Sequence, residues 1–206
     1  MTDAYAIKLD KDFARCKTAK HVQEKIAYYE KWNDYLDLGL SGSAAAIGFG
    51  TLLAELGFGM GIPYADKFGH AAKGLVANRI TGKFFDSLYR WWNKDKIKDA
   101  DDDVRANLKP FVPRVTIEGA STAISAYGWE VLQRDVPAFP GSHFDLNDMM
   151  ADTAGHVFGS VVEYKLAWRR KHQYDAASKR LEELGKKPLP PIWKFGFGGA
   201  SPRHNP

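Results

Sequence analysis

The sequence predicts an all-α protein, a compact bundle of about four core helices with peripheral amphipathic helices at its N- and C-terminal ends. Apolar residues in several segments recur at three- and four-residue spacing, which is the period of an amphipathic helix. Segment 38–63 is crowded with Gly, Ala and Ser and holds one ionisable residue, Glu55. Segment 142–171 places acids, a histidine and glycines along one side of a single helix. All three patterns are typical of helices.

Length and composition favour one domain of ordinary size, because 206 residues with 45% hydrophobic side chains suffice for a core. We divide the chain into three parts. Residues 1–36 form an amphipathic N-terminal helix, with apolar residues such as Phe13 and Ile26 spaced helically among charges. Residues 37–168 form a four-helix core that is a candidate for membrane embedding. Residues 169–206 form a charged helix followed by a disordered Pro- and Gly-rich tail.

Several classes of protein are disfavoured by simple observations. The one cysteine, Cys16, cannot form an internal disulfide. No apolar run or cleavage site follows Met1, so we expect no secretory signal. A net charge of +4 without a basic-aromatic motif does not indicate nucleic-acid binding. We predict residues 93–109 to be a charged linker, and its aspartates are not a calcium loop, because Val104 and Pro110 replace the required glycine and glutamate.

Four segments are candidates for membrane-spanning helices, near 38–62, 64–89, 115–133 and 146–166. A helix of about 25 residues is roughly 37 Å long, which exceeds the ~30 Å of a hydrocarbon layer. The many small residues of the first segment weaken its hydropathy. A buried hairpin in a soluble helical protein is therefore the alternative.

The basic residues are distributed as a membrane protein with both termini in the cytoplasm requires. Of the 29 Lys and Arg, seven lie in 1–34, seven in 90–114 and ten from residue 165 onward. The two remaining connections hold only Lys67 and Arg134. Four tryptophans fall at the same predicted membrane surface, as the residues of an aromatic belt do: Trp32, Trp91, Trp92 and Trp168. We therefore predict a membrane location, with a soluble cytoplasmic protein as the alternative.

Polar residues lie on one stripe of several predicted helices. Asp145 is placed to cap the last core helix, with Asp148 at its third position, and Asp66 to cap the helix after Pro63. Glycines on the same stripe as Asp152 favour an interior position, since they let another backbone approach closely. The candidate polar site comprises Asp66, His70, Glu118, Glu130, Asp148, Asp152 and His156. We expect four of them, His70, Glu118, Asp152 and His156, to converge between the helices, with at least one carboxylate within hydrogen-bonding reach of an imidazole.

Short motifs in residues 60–165 are similar to those of a known family. They comprise Asp66-Lys67-Phe68-Gly69-His70 at one helix start, Glu130-Val-Leu-Gln133 at a helix end, and Phe144-Asp145-Leu146-Asn147-Asp148 followed by Ala151-Asp152-Thr153-Ala154-Gly155. This pattern resembles the VanZ-like membrane proteins and the related YfiM-type small envelope proteins. In that family the position of Asp152 is commonly asparagine. The resemblance implies a compact helical membrane or envelope-associated protein, and it supplies no catalytic residue.

Three function classes follow from the sequence. The first is a non-enzymatic membrane or envelope-associated protein whose polar site between helices binds an unknown ligand. The second is a metal-assisted hydrolase that uses the same histidines and acids. The third is a soluble helical structural or virion component. The sequence indicates no cofactor and no particular protein partner, and it predicts the lipid bilayer as partner. Whether a metal binds is unknown from the sequence, because the tight histidine spacing of known zinc motifs is absent.

Overall fold

A computed structural model of the chain describes residues 2–109, 111–135 and 145–192. The all-α prediction is confirmed, because these residues form helices and contain no strand. The elements are α1 (Thr2–Ala14), α2 (Ala19–Asp37), a π-helical turn (Leu38–Gly42), α3 (Ser43–Phe58), α4 (Ala65–Trp92), α5 (Ala100–Leu108), α6 (Phe111–Asp135) and α7 (Leu146–Glu183).

Two segments differ from their predicted structure because a short polar side chain caps a helix. The predicted single helix at 1–36 is two helices, and Thr18 Oγ1 accepts the His21 N–H at 3.3 Å at the start of the second. The predicted linker at 93–109 contains α5, whose first turn is capped by Asp99 Oδ1 accepting the Asp102 N–H at 2.8 Å. Thr and Asp at these positions satisfy amide groups that have no partner inside the helix.

The last helix is longer than predicted. The span expected near 146–166 and the charged helix expected after residue 169 are one helix of 38 residues, α7. It ends at Glu183, and the φ of 66° at the following Gly185 lets the Lys186 N–H donate to the Leu181 carbonyl at 2.9 Å. Residues 136–144, between the third and fourth predicted core helices, and most of the predicted tail, 193–206, lie outside the described residues.

The apolar segment near 38–62 is helical only to Phe58. It continues from α2 without a break, so that Ala19 to Phe58 form 40 helical residues. Gly59, with φ 58°, ends α3 and donates its N–H to the Glu55 carbonyl. Because α4 begins at Ala65, Asp66 lies inside its first turn, and the prediction that Asp66 is the N-cap is wrong.

The chain forms two compact units. Unit 1 comprises residues 1–36, 86–110 and 164–206, and unit 2 comprises residues 37–85 and 111–163. Residues 86–110 and 164–168, which the sequence analysis assigned to the core, therefore belong with the two ends of the chain. Helices α2, α4 and α7 each contribute residues to both units.

Unit 1 has a largely apolar core. Leu9, Phe13 and Val22 are at most 1% exposed and pack in one cluster with α5 and the C-terminal part of α7. One buried hydrogen bond crosses this core, from Asn33 Nδ2 to Gln173 Oε1 at 2.7 Å. Buried apolar surface contributes most of the stability of such a unit.

An acidic pair joins α5 to α7 in unit 1. Arg105 bridges the two carboxylates, at 2.8 Å from Asp101 Oδ2 and 3.1 Å from Asp175 Oδ1. Burial, the hydrogen bond with Asp175 and the charge of Asp175 raise the pKa of Asp101 to about 7. Burial also acts to raise the pKa of Asp175, but hydrogen bonds from Asp101 and Lys171 outweigh it and lower that pKa. The pair therefore holds a proton at pH values where a free aspartate has lost it.

We predict that this pair makes α5 less stable as the pH rises. Between the ordinary aspartate pKa of 3.8 and about 7, Asp101 keeps its proton in the folded state and loses it in the unfolded state, so stability falls with increasing pH. In Asp101→Asn this fall should be much smaller. The stability of α5 at each pH is measured by native-state hydrogen exchange of its amides, expressed as protection factors. Asp95→Asn, at an exposed position, should behave as wild type. Equal slopes in wild type and Asp101→Asn would contradict the assignment.

Candidate functional site

Two glycines set the close approach of α4 and α7 in unit 2. A Cβ added to Gly74 would lie 1.9 Å from the Asp152 carbonyl oxygen, and a Cβ added to Gly155 would lie 1.9 Å from that of Ala71. Neither position therefore accommodates any side chain without separating the helices. Small residues permit such backbone contacts. The crossing brings the acids of α7 next to the basic residues and the histidine of α4.

Lys67 lies among three carboxylates at the start of α4 and α7. Its Nζ is 2.8 Å from Asp66 Oδ2 and 2.5 Å from Asp148 Oδ1, and it also donates to Asp145. The Asp145 side chain caps α7 as predicted, accepting the Asn147 N–H at 2.8 Å. The hydrogen bond from Lys67 lowers the pKa of Asp145. Lys67 therefore joins the first turns of two helices.

His70 lies between two carboxylates of α7. Its Nε2 is 3.4 Å from Asp148 Oδ2, and its Nδ1 is 3.4 Å from Asp152 Oδ1. Lys73 contacts the same side of the ring, with Nζ 2.8 Å from Asp152 Oδ2 and 3.2 Å from His70 Nδ1. Asp152 is buried, and its Oδ1 accepts no hydrogen bond from the described residues.

Glu130 adds a carboxylate from α6 to this group. It is 2% exposed, and its Oε2 accepts the Asp145 N–H at 3.2 Å. Ligand atoms of His70, Glu130 and Asp148 lie within 4.8 Å of one another. We name the charge cluster the set formed by Asp66, Lys67, His70, Lys73, Glu130, Asp145, Asp148 and Asp152.

The other two predicted site residues form a second group. His156 is fully buried, with Nδ1 3.2 Å from Thr122 Oγ1 and Nε2 3.9 Å from Glu118 Oε2. Glu118 is 1% exposed and its Oε1 is 3.4 Å from Arg114 Nε. The contacts thus divide the seven predicted residues, with five in the charge cluster and two in this group. The carboxylate nearest to an imidazole is 3.4 Å away, which is longer than a normal hydrogen bond.

The sequence analysis missed the arginines that neutralise interior acids. Arg114 NH2 lies 2.7 Å from Glu163 Oε2, and Arg79 NH1 lies 3.2 Å from Glu163 Oε1. Arg79 also donates to Asp37 and Ser41. Glu163 lies on the same stripe as Asp152, so an acid on an interior stripe was the available signal for a basic partner on another helix.

The charge cluster has the chemistry of an ion-binding site. It combines carboxylates with an imidazole at the start of α4 and α7 and the end of α6. Asp66 is exposed and Lys73 is 45% exposed, so the cluster is reached from outside unit 2. Buried charges of this density are costly unless each is paired or binds an ion.

No known protein family, characterised protein or solved structure matches this chain. The resemblance to the VanZ-like and YfiM-type proteins therefore stays a prediction.

We predict that Gly155→Ala destabilises unit 2, because its Cβ would overlap the Ala71 carbonyl and force α4 and α7 apart. Overpacking of this kind costs about 1–3 kcal/mol. Gly128→Ala is the matched control, since Gly128 is also within a helix and a Cβ there meets nothing within 4 Å. Its stability should be unchanged or slightly raised. Chemical denaturation of the two variants under the same solution conditions compares them, and equal midpoints would rule out a close crossing.

Proposed function

We propose that unit 2 is embedded in a lipid bilayer and that the chain is a membrane protein of the VanZ-like or YfiM type, with the charge cluster as its inter-helix binding site. The observation that carries the proposal is the polarity of unit 2. Its surface is largely apolar and many of its buried side chains are polar, whereas the buried core of unit 1 is largely apolar. Lipid tails accept apolar side chains, so a unit in a bilayer has no need to bury them.

The surface of unit 2 is formed by large aliphatic side chains. Ile124 is 71% exposed, Leu53 67% and Ile80 66%. Further exposed aliphatic residues occur on the π-helical turn and on α3, α6 and α7: Leu40, Ile47, Leu56, Val112, Ile117, Met150, Val157 and Val161. An exposed apolar surface of this extent marks contact with a membrane or a partner.

The interior of unit 2 contains many polar and small residues beside a few larger apolar ones, such as Leu75 and Val162. Asn78, His156 and Ser160 are at most 1% exposed, and Asn78 Nδ2 donates to Ser160 Oγ at 3.0 Å. Among the charged residues of unit 2 whose side chains are described, four are exposed: Asp66, Lys73, Lys83 and Asp135. Two of these lie at helix ends, and Lys73 pairs with Asp152. Charges inside a membrane protein face the bundle in this way.

The helices of unit 2 match a bilayer in length. At 1.5 Å per residue, the parts of the chain at 38–58, 65–85, 111–135 and 146–163 are roughly 27 to 37 Å long, against ~30 Å of hydrocarbon. Among the described helices, one is apolar enough as well as long enough to cross a membrane: the segment Ala19–Phe58 contains a window of mean hydropathy 1.3, of which 11% is buried. A soluble core helix of this hydropathy is mostly buried, so low burial favours contact with lipid.

Charge also differs between the units. Unit 1 holds 23 Lys and Arg against 15 Asp and Glu, a net charge of +8, whereas unit 2 holds six against ten, a net charge of −4. Cytoplasmic segments carry the excess of basic residues. Trp32, Trp91, Trp92 and Trp168 all belong to unit 1, within seven residues of the points where the chain enters or leaves unit 2. They are placed as interfacial anchors, with both termini in the cytoplasm.

We predict that the full chain stays in the membrane pellet after a carbonate wash and that tags at both termini are accessible only from the cytoplasm. Recovery of the wild-type protein in the soluble fraction would refute the proposal. This fractionation separates membrane embedding from an apolar surface that binds a soluble partner.

A matched pair of variants tests which side chains contact lipid. Ile124→Lys places a charge near the middle of α6, where insertion scales assign about 3 kcal/mol, so the carbonate-resistant fraction should fall. Ile7→Lys, at a 52% exposed position of unit 1, should leave it unchanged. If both variants behave as wild type, the Ile124 surface does not face lipid.

A further inference from the structure

We propose that His70, Glu130 and Asp148 bind a divalent transition-metal ion, with Asp152 as the residue that orients His70. Each ligand comes from a different helix, α4, α6 and α7, and their ligand atoms lie within 4.8 Å of one another. The inference names the ligand of the site in the proposed function and rests on that proposal for the role of the site. The contacts themselves depend on unit 2 alone.

The separation of His70 and Asp148 fits a shared metal better than a hydrogen bond. Their Nε2 and Oδ2 atoms are 3.4 Å apart, beyond the usual range of N–H···O hydrogen bonds of about 2.7–3.2 Å. Two ligand atoms that each bind a tetrahedral Zn²⁺ at about 2.0–2.1 Å lie roughly 3.3–3.4 Å apart. Asp148 can bind the ion and keep its contact with Lys67, because its Oδ1 accepts from Lys67 and its Oδ2 faces His70.

Asp152 is placed to fix the tautomer of His70. Histidine ligands of metals usually donate their second N–H to a carboxylate, which orients the ring and raises its basicity. His70 Nδ1 faces Asp152 Oδ1 at 3.4 Å, and that buried oxygen accepts no hydrogen bond from the described residues. A proton on Nδ1 would satisfy it and leave Nε2 free to bind the ion, while Lys73 stays on Asp152 Oδ2.

The charge of the cluster favours a cation. Among the described residues of the cluster, five carboxylates face two ammonium groups, Lys67 and Lys73, which is an excess of three negative charges when His70 is counted as zero. A divalent ion reduces the excess to one. One imidazole and two carboxylates suit Zn²⁺ and Mn²⁺. They suit Ca²⁺ and Mg²⁺ less, because those ions prefer sites in which every ligand atom is oxygen.

The competing arrangement has no metal. In it, His70 Nδ1 accepts from Lys73 at 3.2 Å and Nε2–H faces Asp148, so that the ring joins two ion pairs and the cluster is structural. The two arrangements differ in the tautomer of His70 and in whether Zn²⁺ binds.

The test is Zn²⁺ titration by calorimetry, with metal content by mass spectrometry, on the full chain purified in detergent. We expect about one Zn²⁺ per wild-type chain. His70→Ala and Glu130→Gln should weaken binding more than 100-fold, and Asp152→Asn should weaken it about 10- to 100-fold, the range typical of an orienting carboxylate. His21→Ala and Glu24→Gln, at exposed positions of unit 1, should bind as wild type. Circular dichroism of each variant excludes loss of fold.

Failure of this inference differs from failure of the proposed function. The metal site would be overturned if the wild-type protein bound no Zn²⁺. It would also be overturned if His70→Ala and Glu130→Gln bound Zn²⁺ as tightly as the wild-type protein. Carbonate extraction of the same wild-type protein is a separate measurement. If the protein stays in the membrane pellet but does not bind Zn²⁺, the metal site alone is refuted. Protein that is extracted but binds Zn²⁺ through His70 and Glu130 refutes the membrane location alone.

Discussion

The close contact of α4 with α7 is the constraint on which the rest of unit 2 depends. Gly74 lies against the carbonyl of Asp152, and Gly155 against that of Ala71. His70 and Lys73 precede Gly74 by four residues and one residue, and Asp152 precedes Gly155 by three, so their side chains meet beside the crossing. Any side chain at either glycine would move the imidazole away from both carboxylates. The glycines thus determine the geometry of the charge cluster, although they contribute no polar atom.

Charged residues in an interior of this kind stabilise the fold only as sets. Removing one partner of a buried ion pair typically costs about 3–5 kcal/mol, because the other charge is left without compensation. Unit 2 satisfies this condition by sharing: Glu163 accepts from both Arg79 and Arg114, and Arg79 also reaches Asp37 and Ser41. Such a network fixes the relative register of the helices more than it adds free energy. It is a physical reason for the many charges in otherwise apolar helices.

The helices and their polar faces could be predicted from sequence, because period and capping residues are local. The caps at Thr18 and Asp99, which were overlooked, are local signals of the same kind. The membership of the cluster was not predictable in full. Lys67 and Lys73 lie on the same helix as His70, but only the crossing angle and rotation of α7 decide that they face Asp148 and Asp152. Nor does helical spacing separate His156 and Glu118 from Asp152, since all three occupy interior stripes.

Helix α7 contains both polarities along one continuous element. In its first part, Asp152 and His156 are buried while Met150 and Val161 are exposed. In its second part, the buried residues other than Gln173 are apolar, such as Tyr174 and Leu181, and most of the exposed ones are charged, such as Lys179 and Glu182. A single aqueous medium would select apolar burial along the whole helix. The reversal near residue 164, where unit 2 gives way to unit 1, is the pattern expected of a helix whose surroundings change from apolar to aqueous along its length.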